Sequence, residues 1–573
     1  MSKSELDGAV VSVFSGGLNP HRKFTISWKN GKIESYNQSY EIYMPHDIRP
    51  PTGVLAGRIP PNLVPNSNLS YRRAKNWIDD CNSNHTKCSS RPRDFMPSRL
   101  LHISGTDKEP AIRLSNDHPT VPYAALSYCW GADQPAKTTR AKLGSYLNNV
   151  DFSTLPSTIQ DAAIVTRGIG LSYLWVDAIC IVQDDFDDVM AQLAQMHAIY
   201  HCSWVTIAAA EALTCNHGFL QPRGQWQPIR MRARLDEKDA SDVLLVPEGK
   251  SWRSEAPLFR RGWTMQETLL SSRILLYGQR ELIFLCLEGE RCEGDVPSDI
   301  RYFQTFFDPG SNLYVQLDHP DSWGYLVSAY SQRLLAVEDD KLLGIAALAE
   351  NYGRTRAVGD YLAGMWRENF LEQCLWTTEP YPADGRVAKR PKKYRAPSWS
   401  WASFDAHISS FGVSANTPAM MMPETMGPNV TCQVVDVQTT LAAAGNPYGM
   451  VTGGYLVMKG RLRQVVWQTK VGNWRPAGHL VKGVKILKGD GIDPRMTFEV
   501  DCPQEWEGKG DVLLWSLEIC SADNGRGYAL LLQEAGHQKA SFQRVGRLDI
   551  REDFDGLGSW FESEYESPEI RII

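Results

Sequence analysis

From residue 123 to residue 286 the chain alternates between short apolar runs and stretches of helical period. The longest run is Tyr173-Leu-Trp-Val-Asp-Ala-Ile-Cys-Ile181, nine residues with one carboxylate, Asp177, at the centre. Its length and its β-branched and aromatic content predict a strand buried on both faces. A carboxylate in such a strand needs a hydrogen-bonding partner. Tyr123–Gly131 predicts a preceding strand that ends in Trp130-Gly131, with the glycine permitting a sharp turn. Leu155-Pro-Ser-Thr-Ile-Gln160 announces a helix: Ser157 and Gln160 have capping-box spacing, and Gly168 and Gly170 stop it. Asp187–Tyr200 predicts an amphipathic helix through Val189, Leu193, Met196 and Tyr200. Strands are expected at Trp204–Ala210, Arg273–Tyr277 and Leu282–Cys286, with a β-rich excursion at Val243–Val246 and a helix from about Gly262. Alternation of this kind is that of a doubly wound α/β sheet of about five strands, whose working edge lies at the strand C-termini.

Outside that region the pattern changes. Residues 1–65 are rich in Gly, Pro and Asn and predict an irregular arm or hairpin, with an alternating stretch at Phe24–Trp28. Residues 66–120 form a helical lead-in, with Ala74, Trp77 and Ile78 on one face. The period is helical again at Tyr325–Leu335, Lys341–Tyr352 and Tyr361–Leu375, within a segment 291–420 that closes on an aromatic turn. Residues 421–573 are strand-like and predict a β-sandwich or partly open barrel, with strands at Val430–Val437, Gly454–Val465, Asp511–Cys520, Tyr528–Gln533 and Phe542–Leu548.

Composition narrows the function classes. At 573 residues, with 43% hydrophobic and 22% charged positions, the chain is globular and too long for one core. A net charge of −6, with acids and bases interspersed, disfavours a dedicated nucleic-acid binder. No apolar window reaches membrane-spanning length and the first residues show no secretory signal, so no membrane association is expected and a cytoplasmic location is. The basic turn Lys389–Lys393 keeps a nuclear location open. Twelve scattered cysteines read as reduced thiols. Cys81-x3-His85-x2-Cys88 crowds three potential ligands into eight residues without a second pair at zinc-finger spacing, and reads as packing near the domain entrance, so no metal is expected. Phosphate-binding glycine motifs in a proper context are absent, which disfavours kinases, P-loop proteins and dinucleotide dehydrogenases.

Several blocks together resemble the fungal heterokaryon-incompatibility (HET) domain. They are Leu126-Ser-Tyr-Cys-Trp-Gly131, Leu155-Pro-x-Thr-Ile-x-Asp-Ala162, Leu174-Trp-Val-Asp-Ala-Ile-Cys-Ile-Val-Gln183, Met196-x-x-Ile-Tyr200 and Arg261-Gly-Trp-Thr-Met-Gln-Glu267, in the family's order. Asp340-Lys341-Leu342, Gly364-Met-Trp366 and Ala396-Pro-Ser-Trp-Ser-Trp401 resemble the regions that follow such domains. Two departures fall in one loop: Val182 stands where the family has Asn, and the next helix lacks the usual acidic-basic pair.

The resemblance implies a flavodoxin-like, TIR-like fold over 121–290 and a role in non-self recognition and cell death. TIR domains include NAD hydrolases, and Trp263-x3-Glu267-x-Leu269 has the spacing of the TIR helix that carries the catalytic glutamate. Glu267 is thus the first candidate for chemistry, as a carboxylate stabilising an oxocarbenium-like state; the alternative is a helix carboxylate paired with Arg260, Arg261 or Arg273. Trp130 offers a stacking face or core packing, Ser127, Tyr128 and Gly131 flank it, and Asp177 either grips a ribose or belongs to a buried network. Cys180, with His197 or His201 nearby, is a candidate nucleophile or a buried thiol. Gln183 and Asp184 cap the next helix or line the crevice, and Arg261, Trp263 and Gln266 complete the candidate ligand contacts. No cofactor is required, with NAD expected as a substrate. Three functions follow: an effector that cleaves NAD, a non-catalytic module acting through self-association or a protein partner, and a repurposed enzyme with a small-molecule ligand.

Overall fold

The computed structural model describes residues 9–14, 23–30, 33–43, 59–89, 94–105, 110–132, 134–224, 228–234, 240–247, 256–294, 301–302, 306–307, 314–315, 322–356, 358–379, 385–409, 429–443, 445–468, 484–486, 496–506, 509–521, 526–536, 541–551 and 567–573. The chain divides into two compact units, Met1–Arg260 with Leu270–Gln304, and Arg261–Leu269 with Thr305–Ile573. The first methionine and its neighbours lie outside the described residues. Among the described residues, no helix is long and apolar enough to cross a membrane.

In the first unit, β1 (Ala9–Phe14), β2 (Lys23–Asn30) and β3 (Ile33–Tyr43) make an antiparallel meander where a hairpin or an irregular arm was expected. A lead-in follows: α1 (Asn68–Asn84), α2 (Thr86–Ser89), β4 (Leu100–Gly105) and β5 (Pro110–Ser115). The α/β core begins at β6 (Ala124–Ser127) and runs through α3 (Arg140–Asn148), α4 (Ser157–Gly168), β7 (Tyr173–Trp175), α5 (Asp177–Cys180), α6 (Phe186–Cys202) and β8 (Val205–Ala208). Next come β9 (Ile229–Arg234) and β10 (Ala240–Pro247), which extend the meander to five strands in the order β1-β2-β3-β10-β9. After helix α7 (Trp263–Leu270), the strands β11 (Arg273–Tyr277), β12 (Leu282–Cys286), β13 (Gly289–Cys292) and β14 (Arg301–Tyr302) complete a nine-stranded mixed sheet, β14-β13-β12-β11-β8-β6-β7-β4-β5.

Only β7, β6, β8 and β11 are mutually parallel, and antiparallel hairpins flank them on both sides. Every residue of β6, β8 and β11 is buried, as strands covered on both faces must be. Helix α6 is keyed to β6 by two reciprocal bonds: the Tyr123 hydroxyl donates to the Ile199 carbonyl, and the Tyr200 hydroxyl to the Leu126 carbonyl. The Trp175 ring meets Tyr200 edge-on.

The predicted nine-residue strand is a correction. It stops after three residues, and Asp177–Cys180 form one helical turn whose Ala178, Ile179 and Cys180 are buried. A short apolar run buried on all sides has no period that separates strand from helix. The capping box at Ser157 is also not made: Pro156 occupies the N-cap, and Gln160 Nε2 turns back to donate to the Phe152 and Leu155 carbonyls.

The second unit contains helices Ser322–Ser331 and Leu343–Thr355 and a ten-stranded sheet, largely antiparallel, built from strands between Asn429 and Ile572. Eight of its ten strands form one hydrogen-bonded path, and the other two, Asn429–Val430 and Met496–Val500, pair off it with Asp511–Ser521 and Ser541–Arg551. Its second predicted strand divides at Gly460 into Val451–Lys459 and Leu462–Gln468. Of the helix predicted at Tyr361–Leu375 only one turn, Phe370–Gln373, forms. Ala363 and Gly364 have φ of 47° and 98°, so Tyr361–Leu362 and Met365–Trp366 fold back as a tight hairpin instead. The Gly364 carbonyl accepts from the indole N–H groups of both Trp323 and Trp401, which joins two motifs far apart in sequence.

The same region holds a buried ionic group. Lys341 Nζ lies 3.7 Å from Asp405 Oδ1, which Arg395 Nη2 also approaches at 2.8 Å. Burial pushes the Lys341 ammonium down from 10.5 to about 7. The unfolded chain therefore holds a proton between pH 7 and 10.5 that the folded chain has released, so this lysine's contribution to stability grows as pH rises through that window. In Lys341→Met, Asp405 keeps Arg395 as its counter-charge. The stability of the wild type relative to Lys341→Met should therefore rise from neutral to alkaline pH in urea unfolding, and a difference flat with pH would refute the assignment. A side chain at Gly364 would come within 2.7 Å of the Trp401 indole nitrogen. Gly364→Ala should lower stability by about 1–3 kcal/mol, the range for disrupting buried hydrogen bonds, read from the denaturation midpoint.

Candidate functional site

The four parallel strands bring their C-terminal ends to one edge of the sheet. From β6 the chain moves to β7 on one side, then crosses to β8 on the other, so the connections part between β6 and β8. Open α/β sheets bind ligands in the crevice outside the strand ends at such a point. Tyr128, Cys129, Trp130 and Gly131 leave β6 directly into it.

Trp130 is half-buried and held by its edge: Nε1 donates to Asp177 Oδ2 at 2.8 Å. The other Asp177 oxygen accepts the Ala178 backbone N–H at 2.6 Å, and Gln183 Nε2 donates to the Asp177 and Ile181 carbonyls. With both carboxylate oxygens engaged, Asp177 orients the indole. Lys137 Nζ lies 5.6 Å from the Trp130 ring centroid, within cation–π range. Ser127 and Tyr128 are buried, and the Tyr128 hydroxyl accepts from Gln134 Nε2 at 2.8 Å, so both support the strand end from beneath. Gly131 has φ +82°, and a Cβ there would come within 2.8 Å of the Thr214 side chain, so only glycine fits the turn.

The opposite wall is the loop after β8. The start of α4 fastens it: Thr158 N–H donates to the Cys215 carbonyl, Thr158 Oγ1 donates to the Thr214 carbonyl, and Asp161 Oδ2 accepts the backbone N–H groups of Phe219 (2.6 Å) and Leu220 (3.0 Å). Burial pushes the Asp161 carboxyl up, and those two amides pull it back down. Lys137, Gln134, Thr158 and Asp161 were not singled out as site residues from the sequence, although Asp161 sits in the quoted Leu-Pro-x-Thr-Ile-x-Asp block. Its spacing reads as helix face, and only the folded loop shows what its carboxylate holds.

Other candidates have local structural work. Asp184 Oδ1 accepts the Arg140 backbone N–H at 2.7 Å at the start of α3, and Asp185 caps α6. The missing basic partner at the start of α6 is supplied from elsewhere: Arg99 forms a 2.5 Å ion pair with Asp188. Asp188 in turn accepts the Val182 N–H. Cys180 is corrected as a nucleophile. It is fully buried, its thiol is pushed up to about 12 by burial, and His197 and His201 stack on each other.

Arg261, Trp263, Gln266 and Glu267 belong to the second compact unit, whereas Trp130 and Asp177 belong to the first. Within that second unit, Trp263 Nε1 donates to Asp340 Oδ2 at 3.1 Å, and Gln266 Oε1 accepts the Ala347 N–H. Burial pushes the Asp340 carboxyl up. Arg333 donates to the Arg261 carbonyl and to Thr264 Oγ1. Glu267 is 6% exposed. Trp263 and Gln266 thus serve as packing anchors for α7.

No curated protein and no solved structure matches the chain. Residues 123–267 match the family described as Heterokaryon incompatibility protein (HET), an interval that starts at the residue before β6 and ends at Glu267 in α7. The heterokaryon-incompatibility match thus covers the strand–helix core that builds the crevice and the helix that carries Glu267.

Proposed function

We propose that the chain is an effector of heterokaryon incompatibility whose crevice takes a nucleotide-like ligand, NAD or a relative, against the face of Trp130. The HET match supports the role in incompatibility. The observation that carries the ligand class is Trp130 itself, an indole tethered through Nε1 to Asp177 and partly exposed where the sheet connections part. Lys137 beside the ring adds a cation suited to a phosphate. The parallel strands run β7-β6-β8-β11, which is 2-1-3-4 in order of appearance, and this favours a flavodoxin-like reading of the core. A separate catalytic proposal assigns Glu267, which lies in the other compact unit, to the oxocarbenium-like state of glycosidic cleavage; it rests on the resemblance of its helix to that of TIR domains and not on the Trp130 crevice.

The two proposals are separable by experiment. Full-length protein at low and high concentration is incubated with NAD, and nicotinamide release is followed by chromatography. Release should fall at least about 100-fold in Glu267→Gln, as for loss of a group acting in the transition state. Full turnover in that variant would overturn the catalytic assignment. Trp130→Ala should weaken binding of the nucleotide in calorimetry by about tenfold, the scale of one lost stacking contact. Unchanged affinity would overturn the binding site. Absence of release at every concentration, with binding intact, would shift the reading to a non-catalytic signalling module.

A further inference from the structure

The crevice leaves unexplained a cluster on the far edge of the same sheet. Cys81, His85 and Cys88 follow one another at i, i+4 and i+7, the spacing of a single helical face. Cys81 lies in the last turn of α1, His85 is its C-cap, and Cys88 lies in α2. The His85 N–H donates to the Cys81 carbonyl and the Ser89 N–H to the His85 carbonyl, so the helical course resumes at once and the three side chains stay on one side. Sequence alone supplies nothing further for them. The fold does: Cys286, the last residue of β12, arrives from two hundred positions away. Its sulfur lies 3.3 Å from His85 Nδ1, and all four potential ligand atoms lie within 4.8 Å of one another.

Four such atoms suit one tetrahedral ion. Bonds of about 2.3 Å to sulfur imply sulfur–sulfur edges of about 3.8 Å, inside the observed span. Cys81, His85 and Cys88 are buried and Cys286 is nearly so. Charge is also accounted for. Three thiolates and a divalent cation leave one net negative charge, and the fully buried Arg273 places Nε 3.2 Å from the Cys81 sulfur. Its Nη2 is held 3.4 Å from both the Cys88 carbonyl and Asn82 Oδ1. The guanidinium also donates to the Trp204 carbonyl and lies over the Trp204 ring, and its charge beside the sulfur suits the outer shell of an anionic metal centre.

We propose that Cys81, His85, Cys88 and Cys286 hold a single zinc ion in a closed structural site. Four protein ligands leave no open position for substrate, which separates this centre from catalytic zinc. Its place in the sheet agrees. Cys286 pairs with Arg273 at the start of β11, whereas the crevice lies at the other end of that strand's direction, beyond Ser127 and Ala208. The ion clamps the α1–α2 turn onto the antiparallel flank of the sheet. Glu288, just past β12, reinforces the same junction by accepting the Lys87 backbone N–H at 2.6 Å.

Elemental analysis of the full-length protein, purified without chelator, tests the proposal. One zinc per chain is expected, with no iron chromophore. Replacement by cobalt should give the thiolate charge-transfer and intense visible bands of a tetrahedral sulfur-rich site. Cys286→Ser should lose most of the bound metal and lower the melting temperature, while His85→Cys, which keeps four ligands, should retain zinc even if the serine variant folds poorly. Metal-free wild-type protein that gains no thermal stability from added zinc would overturn the proposal. So would zinc held equally by Cys286→Ser, an iron–sulfur absorbance, or a disulfide among the three cysteines found by mass spectrometry.

Discussion

Burial on both faces of a few very short parallel strands is the constraint from which the first unit follows. Strands β6 and β8 have four residues each, all buried, and no polar side chain on them can reach water along the strand. Polar chemistry is forced to the ends. At the C-terminal end it becomes the Trp130–Asp177 pair and the loop held by Asp161. At the opposite end of β11 it becomes Arg273 and the sulfur cluster beside it. Even the anchoring of α6 obeys the rule, since Tyr123 and Tyr200 spend their hydroxyls on backbone carbonyls rather than on solvent.

The two edges differ in kind. The crevice edge is open: Gly131 is exposed and the indole of Trp130 is partly so, while its polar edge is fully engaged. With both oxygens of Asp177 engaged, the indole is held in one orientation at that edge. The opposite edge is closed, with ligand atoms turned toward one another and a guanidinium placed against them. Buried ionic groups recur in the second unit, where Lys341, Arg395 and Asp405 hold together the segment that ends in the Trp-Ser-Trp turn.

Much of this organisation was legible along the chain. The boundaries of β11 and β12 were read as they stand, and α6 and β8 to within two residues, because apolar runs with clear ends and a 3.6-residue period are local signals. Trp130 and Gly131 were read as the end of a strand that stops at Ser127, so they lie in the turn just beyond it. Asp177 was placed in the wrong element, since a run that is apolar on all sides carries no period, and its indole partner lies 47 positions earlier. Cys180 was legible as a cysteine near a strand end, but its environment is set by the fold, and here complete burial pushes the thiol up to about 12.

The sequence by itself determined most element types of the α/β core, with Asp177–Cys180 the exception, the aromatic turn downstream and the blocks that mark the HET domain, all of which are carried by residues a few positions apart. Tertiary structure alone decided which distant groups meet. It brought Cys286 to Cys81, His85 and Cys88, gave Asp188 its partner Arg99, seated two indoles on the Gly364 carbonyl, and placed Glu267 in a different compact unit from Trp130. The physical reason is the range of the signals. Periodicity and capping act within one or two turns of chain, whereas ligand sets and buried charges are completed by whichever strand the packing of the sheet carries alongside them.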